Sequence, residues 1–294
     1  MPADPLDIRQ TPLDAPLPPG ATDCHTHVFG PAARFPLDPA RKYTPGQALA
    51  AQLAAHQAAL GLTRVVIVQP SPYATDNACT LDGMAALGDS ARGVAVIAPD
   101  VPLTALRELH AAGIRGVRLN LQTAGQSDPA IARTMLLHAA KQVAPLGWHV
   151  QVYTNLAVLA GLHDALLTLP VPLVVDHFGS AAAIDQPGFE GLLELVQRGQ
   201  AYVKLSAPHR TNAPDATPIA AALIAANPAR MLWGSDWPHT VAHGATEPLD
   251  VIEPFSPVDD GIALNRLRRW ARTDATFQAI LVDNPARLYD FPHP

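Results

Sequence analysis

Charge is scarce in this sequence, and what charge there is forms no basic cluster. Only 16% of its 294 residues are Asp, Glu, Lys or Arg, with 20 Lys+Arg against 26 Asp+Glu for a net charge of −6. A chain that binds nucleic acid or an anionic bilayer through its surface needs a concentrated positive field, so neither is expected as a partner. Cysteine is rarer still. Cys24 and Cys79 are too few for a disulfide framework, and a reducing cytoplasm is the expected compartment. No apolar run approaches the roughly 18 residues that span a bilayer. The opening residues, MPADPLDIRQTPLDAPLPPG, hold no apolar h-region, so no secretory signal is expected. Aromatic residues make up 5% and are scattered, too thinly for a carbohydrate-stacking platform. No Gly-rich loop of the Rossmann or P-loop kind occurs to cradle a phosphate.

Apolar side chains, by contrast, make up 48% of the chain, enough at this length for a sizeable core within one domain. Residues 1–20 read as a Pro-rich extended arm, lying on the surface or on a neighbouring subunit. Residues 21–294 show no composition shift that would divide them. The sequence carries no signal for oligomeric state.

Strand and helix patterns alternate through that domain. Ala21 to Phe29 reads as a first strand and Gln47 to Leu60 as a helix stopped by Gly61. Arg64-VVIVQP is an apolar β-branched run, the pattern of a strand covered on both faces. The cycle continues with a helix over 76–87, a strand from Gly93 to Pro99 and a helix over 103–112, with Asp100 as its cap. A strand begins at Gly116, and a helix opens at Asp128 with Pro129 in its first turn. Strands at 149–154, 172–179, 201–207 and 230–238 follow, with helices at 156–167, 189–197 and 218–226 between them. The tail, 262–288, reads as helical with a break near Asn284-Pro285. Eight strand–helix units in one domain predict an α/β fold, a single (β/α)8 TIM barrel with C-terminal helices. The Pro-punctuated loop from Pro238 to Asp260 is the expected wall of a site.

In such a barrel the chemistry sits at the C-terminal ends of the strands, and there the predicted strands carry polar residues. Asp23-Cys24-His25-Thr26-His27 leads. Alternation would aim His25 and His27 to one side, where two imidazoles can hold a divalent metal or polarise a carbonyl. Taken alone, they could equally be hydrogen-bonded strand histidines. Further along come Gln69 and Ser71, Arg118 and Asn120, Gln151 and Tyr153, Asp176 and His177, Lys204, Ser206 and Arg210, and Ser235 and Asp236. Each has a plain structural alternative: a core histidine, a helix cap or an internal ion pair. Together they are harder to explain, because buried charge is costly unless paired. The third strand is the exception, ending in Val96-Ile97-Ala98-Pro99.

Asp23-x-His25-x-His27, Asp176-His177-x-Gly179, Lys204-x-Ser206, Trp233-Gly234-Ser235-Asp236-Trp237-Pro238 and the closing Asn284-Pro285-Ala286-Arg287-Leu288 resemble the amidohydrolase superfamily. Within it the chain is similar to the branch of 2-pyrone-4,6-dicarboxylate hydrolases and related sugar- and muconolactone lactonases. That resemblance implies a hydrolase opening a carboxylated lactone, a small anionic substrate. Asp236 would be the general base, and His25, His27 and His177 would polarise the carbonyl. Tyr43, Ser71, Arg118, Tyr153 and Arg210 would bind the carboxylate, as arginine forks and hydroxyls do.

Metal-dependent relatives carry a Lys or Glu on strand 4 and a His on strand 5. Here those places hold Arg118 and Asn120, and Gln151 and Tyr153, while His149 falls at the bottom of its strand. The resemblance therefore implies no required metal, with one zinc on His25, His27 and Asp236, joined by His177, as the alternative. The dicarboxylate hydrolases also carry a second arginine shortly after the strand 4 arginine. This chain reads Asn120-Leu121-Gln122-Thr123-Ala124-Gly125 there, which fits a lactone with a single acidic group unless Arg34, Arg41 or Lys42 substitutes. A metal-dependent decarboxylase or amide hydrolase of the same superfamily is the competing enzyme. A catalytically dead scaffold is disfavoured, because all four catalytic candidates are present.

Overall fold

The computed structural model describes residues 8–211, 213–241 and 248–292. Eight parallel strands follow one another around a single sheet in chain order: β1 Thr22–Thr26, β2 Arg64–Val68, β3 Ala91–Ala95, β4 Ile114–Asn120, β5 His149–Tyr153, β6 Leu173–Val175, β7 Ala201–Ser206 and β8 Met231–Gly234. Helices α1 Ala50–Leu60, α2 Ala78–Leu87, α3 Leu103–Ala111, α4 Pro129–Val143, α5 Leu156–Leu167, α6 Phe189–Gln197 and α7 Thr217–Ala226 occupy the crossovers. The sheet closes where its first and last strands run out. The Asp236 amide donates to the His25 carbonyl and the His27 amide to the Trp237 carbonyl, both at 2.8 Å. The two histidine–aspartate motifs are thus the seam of the barrel.

Side chains inside the barrel sort into levels. At the bottom Cys24, Val66, Val68, Val94, Val174, Tyr202 and Leu232 pack with Ala286, Tyr289 and Phe291, which fill the floor from the end of the chain. The His149 and Tyr289 rings meet at right angles with centroids 5.2 Å apart, so this histidine belongs to the floor as expected. Polar residues begin one level up. Strict alternation along β1 would place Asp23 with His25, but the β1–β2 register is irregular between Asp23 and Thr26. Cys24 therefore joins the floor. Asp23 faces α1, where its carboxylate accepts from Gln57 at 3.2 Å and from the Ser235 amide at 3.0 Å.

The described part of the arm, residues 8–20, lies on its own chain, along α8 (Asp260–Ala271). Asp259 caps α8 by accepting from the Ile262 amide, and the same carboxylate accepts from the Thr11 amide and hydroxyl. Gln10 Oε1 accepts from the Asp260 amide at 2.8 Å, and Asn265 bonds both Pro12 and Asp14. Gly261 is required by this contact, because a Cβ there would stand 2.0 Å from the Thr11 carbonyl.

Several expectations are corrected. The third strand runs from Ala91 to Ala95, not from Gly93 to Pro99, so Val96–Pro99 is loop. Asp100 caps nothing: α3 starts after Pro102 with no side-chain cap. The helical tail breaks at Arg272 (φ 61°), where Thr273 caps α9 (Asp274–Gln278). Pro285 does not break it. A π-turn over Ala279–Asp283 leads directly into α10 (Asn284–Tyr289), and Pro285 sits in its first turn, where a missing N–H costs little. Among the described residues no helix is long and apolar enough to cross a membrane.

Candidate active site

At the C-terminal mouth of the barrel, His27, Tyr43, Ser71, Arg118, Tyr153, His177, Arg210 and Asp236 line one cavity, with free space of about 20 Å³. His25, fully buried, lies beneath it. All nine candidates from the sequence are therefore brought together.

Asp236 stands at the centre on a left-handed backbone (φ 70°), a conformation Asp tolerates better than most residues. Its Oδ1 is 3.6 Å from His25 Nε2, 3.6 Å from His27 Nε2 and 3.8 Å from His177 Nε2. Its Oδ2 accepts the Nε–H of Arg210 at 2.7 Å. Burial alone would raise this carboxyl, but the Arg210 guanidinium beside it holds it well below the usual carboxylate range. Arg210 is steadied from the other side, donating to the Thr240 carbonyl at 2.7 Å and to its hydroxyl at 3.0 Å.

A buried ion cluster supports the histidines from below. Asp176 accepts on Oδ2 from both Arg118 Nε and Nη2 at 3.3 Å and from Gln151 at 3.0 Å. Lys204, also fully buried, has three N–H groups and three acceptors within reach: Gln151 Oε1 at 2.8 Å, His25 Nδ1 at 3.2 Å and Asp176 Oδ1 at 3.5 Å. His25 Nδ1 lies between the Lys204 ammonium and Asp176 Oδ1, which is 3.3 Å away; where it accepts from the lysine, the His25 proton is on Nε2, aimed at the cavity. Nε2 has no hydrogen-bond partner among the described residues. Asp176 is held well below the carboxylate range although its burial opposes this, because His25, Lys204 and Arg118 surround it.

His27 takes the opposite tautomer. Its Nδ1–H donates to the Val68 carbonyl at 2.8 Å, so the Nε2 lone pair faces Asp236. His177, on a left-handed turn (φ 49°), is fixed by Ser206 Oγ at 2.9 Å from Nδ1 and by the Tyr153 ring at 5.0 Å. Burial lowers all three histidines, His177 to about 3, so they are neutral at pH 7. Burial also raises the partly exposed Tyr43 phenol and pushes Tyr153 up to about 12, so both remain hydrogen-bond donors. The Tyr43 hydroxyl meets Ser71 and Thr240.

Other polar strand ends have structural duties. Gln69 holds the turn after β2 through the Ala74 and Asp76 carbonyls, and Ser235 Oγ accepts from the Trp237 amide. Arg34 pairs with Asp82 on the surface and does not reach the cavity. Sequence reading missed Thr240, which the cavity shares with Asn120 and Thr123. Its only signal was a position four residues past Asp236, in the long loop already expected to form a wall. Residues 242–247 of that loop lie outside the described residues.

Known proteins resemble the chain along nearly all of its length. It is 36% identical to a 2-pyrone-4,6-dicarboxylate hydrolase of Comamonas testosteroni over 93% of this chain and 91% of that one. It is 34% identical to a 4-sulfomuconolactone hydrolase of Rhizobium radiobacter over 96% and 93%. A crystal structure of a probable 2-pyrone-4,6-dicarboxylic acid hydrolase from Acinetobacter baumannii, with citric acid bound, superposes with a TM-score of 0.76 at 27% identity. That match covers 92% of this chain and 100% of the other. The family model described as Amidohydrolase matches residues 22–291, and with the seam of histidines and aspartate at the mouth of a closed barrel, the chain belongs to the amidohydrolase family.

Proposed function

We propose that this protein is a hydrolase that opens a carboxylated lactone by attack of an Asp236-activated water. One observation carries the reading. Among the described residues, the only carboxylate lining the cavity has one oxygen in the middle of three neutral imidazoles, beside two arginines suited to an anionic substrate. The similar proteins are named for 2-pyrone-4,6-dicarboxylate and 4-sulfomuconolactone, both anionic lactones.

Asp236 Oδ1 and His27 Nε2 are two acceptors 3.6 Å apart. A water between them would give one O–H to each, and its oxygen lone pair would point at a lactone carbonyl carbon. Attack moves that proton to Asp236 and forms the C–O bond. The carbonyl oxygen becomes an oxyanion beside His25 Nε2–H and His177, donors placed where charge develops. Collapse breaks the ring C–O bond, and protonated Asp236 returns its proton to the departing oxygen. The sum is lactone plus water to an open-chain hydroxy acid, or its keto tautomer where the leaving group is an enolate.

No metal is required in this reading. Asp176 and Asp236 are already outnumbered by Arg118, Lys204 and Arg210, and a dication would add to a positive excess. The second reading is zinc. His25, His177 and Asp236 offer ligand atoms within 4.8 Å of one another, and the His27 lone pair already faces them. Zinc there would polarise the carbonyl as a Lewis acid. The reducing cytoplasm is the proposed compartment, consistent with two buried free thiols, Cys24 and Cys79.

The test is ring opening followed by acid release across 2-pyrone-4,6-dicarboxylate, muconolactones and aldonolactones. Chelator-dialysed and zinc-supplemented protein are compared. Turnover by the chelated protein is expected. Turnover only with zinc would overturn the metal-free mechanism and revive the decarboxylase or amide hydrolase alternative. Silence in both would overturn the lactonase reading.

A further inference from the structure

The end of β3 and the start of the β4–α4 loop break the polar pattern of the barrel mouth, and the structure shows what occupies their place. Val96, Ile97, Leu119, Met135 and Ala139 line a groove of about 740 Å³ beside the catalytic cavity, a volume within the usual range for ligand sites. The two spaces share a boundary. Ser71, Arg118, Asn120 and Thr123 line both. The groove exists because no long polar side chain fills it: Thr123-Ala124 contributes little bulk, and β3 stops at Ala95, leaving Val96 and Ile97 on the rim. Met135 is 42% exposed there, a solvated apolar side chain on α4. Arg41 and Lys42 also line it, opposed among the described residues by Asp38 alone. The surroundings are apolar within and positive at the edge.

We infer that this groove is an annex to the catalytic cavity that receives an apolar, aryl- or alkyl-sized substituent on an anionic substrate. The inference rests on the reading of the cavity as a site for a carboxylated lactone and narrows its substrate class. The carboxylate sits with Arg118 and Arg210, and the substituent passes the Ser71–Thr123 boundary into the groove. A dicarboxylate ring would have to turn its second charge away from the apolar wall, towards Arg41 and Lys42 at the edge. A ring with one carboxylate and one hydrophobic arm matches both chambers.

Two measurements separate the annex from the catalytic reading. Calorimetry compares benzoate with biphenyl-4-carboxylate, which adds one ring for the groove and requires no turnover. Full-length protein is expected to bind the biphenyl acid about 10- to 100-fold more tightly, the worth of burying one apolar group of that size. Thr134→Trp, on the exposed face of α4 lining the groove, and Ala124→Trp should each erase that ratio. In parallel, kcat/KM for an aryl-substituted monocarboxylate lactone should exceed that of the unsubstituted ring, and Thr134→Trp should abolish the difference. Equal binding of the two acids, or a ratio unmoved by both variants, overturns the annex, whatever lactones are opened. A ratio that behaves as expected while no lactone is opened supports the annex and overturns the lactonase reading.

Discussion

Arg210 donates its Nε–H to Oδ2 of Asp236 across 2.7 Å, with both side chains nearly excluded from solvent. A base held well below the usual carboxylate range is weak, because its affinity for a proton is what drives deprotonation of water. A substrate carboxylate arriving at Arg210 would share that guanidinium and return basicity to Asp236. Substrate charge and base strength are thereby linked through one side chain, and neutral lactones should be poor substrates even where they fit.

Asp236→Asn should lower kcat by about a hundredfold or more, the scale of losing a positioned general base, with an unchanged circular dichroism spectrum. Near-wild-type turnover in that variant would overturn the assignment of the base.

Arg210→Met should raise KM by about 10- to 100-fold, the worth of a charge-assisted hydrogen bond to carboxylate of about 1.5–3 kcal/mol. The pH profile gives the stricter reading. Removing the cation raises Asp236, so the acidic limb of kcat/KM must move to higher pH. An unmoved limb would mean that Arg210 does not tune the base.

Asp176→Asn should cost about 3–5 kcal/mol of stability, because Lys204 and Arg118 are then buried without their counter-charge. Asp176 is depressed in the folded state, so its contribution is present above the unfolded value near pH 4 and is lost as pH falls through the folded one. Urea midpoints between pH 3 and 7 should fall in acid for the native chain and more shallowly for the variant.

The buried His239–Asp260 pair predicts the opposite slope. The His239 and Asp260 side chains meet at 2.9 Å, and His56 approaches the same carboxylate oxygen at 3.0 Å. Burial would lower His239, but Asp260 raises it overall. Its contribution is therefore complete below the unfolded value near 6.5 and is lost as pH rises through the folded one. Asp260→Asn should flatten the decline in urea midpoint on the alkaline side.

Gly261→Ala should detach the arm, since the new Cβ meets the Thr11 carbonyl at 2.0 Å. A protease is then expected to cut residues 8–20 faster than in the native chain, and Gln10→Ala should show a weaker form of the same effect. Equal cutting rates would show that the Asp259 and Asn265 contacts hold the arm alone.

The barrel was legible because strands such as Arg64–Val68 and Leu173–Val175 are apolar β-branched runs recurring between helix patterns, the mark of parallel strands buried on both faces. The helix over Asp128–Val143 was readable for a local reason, an Asp cap followed by Pro. The site residues were legible because polar side chains at strand ends are costly to bury and stand out. Pairings were not. Arg210 and Asp236 are 26 positions apart, and Asp176 meets Arg118 and Lys204 only after the sheet curls. The third strand was read four residues too far at its end because Val96 and Ile97 are as apolar as the strand itself. Their sequence does not say that the hydrogen-bond ladder has ended.

Tyr289 and Phe291, which fill the barrel floor, are synthesised after every strand they pack against. A chain leaving the ribosome can therefore align all eight strands and still enclose a hollow lined by Cys24, Val66 and Leu232. Only the arrival of α10 and the residues after it supplies the missing stopper. The last step of core formation then waits for residues 284–291, and until they arrive the nascent barrel shows chaperones an open, greasy underside.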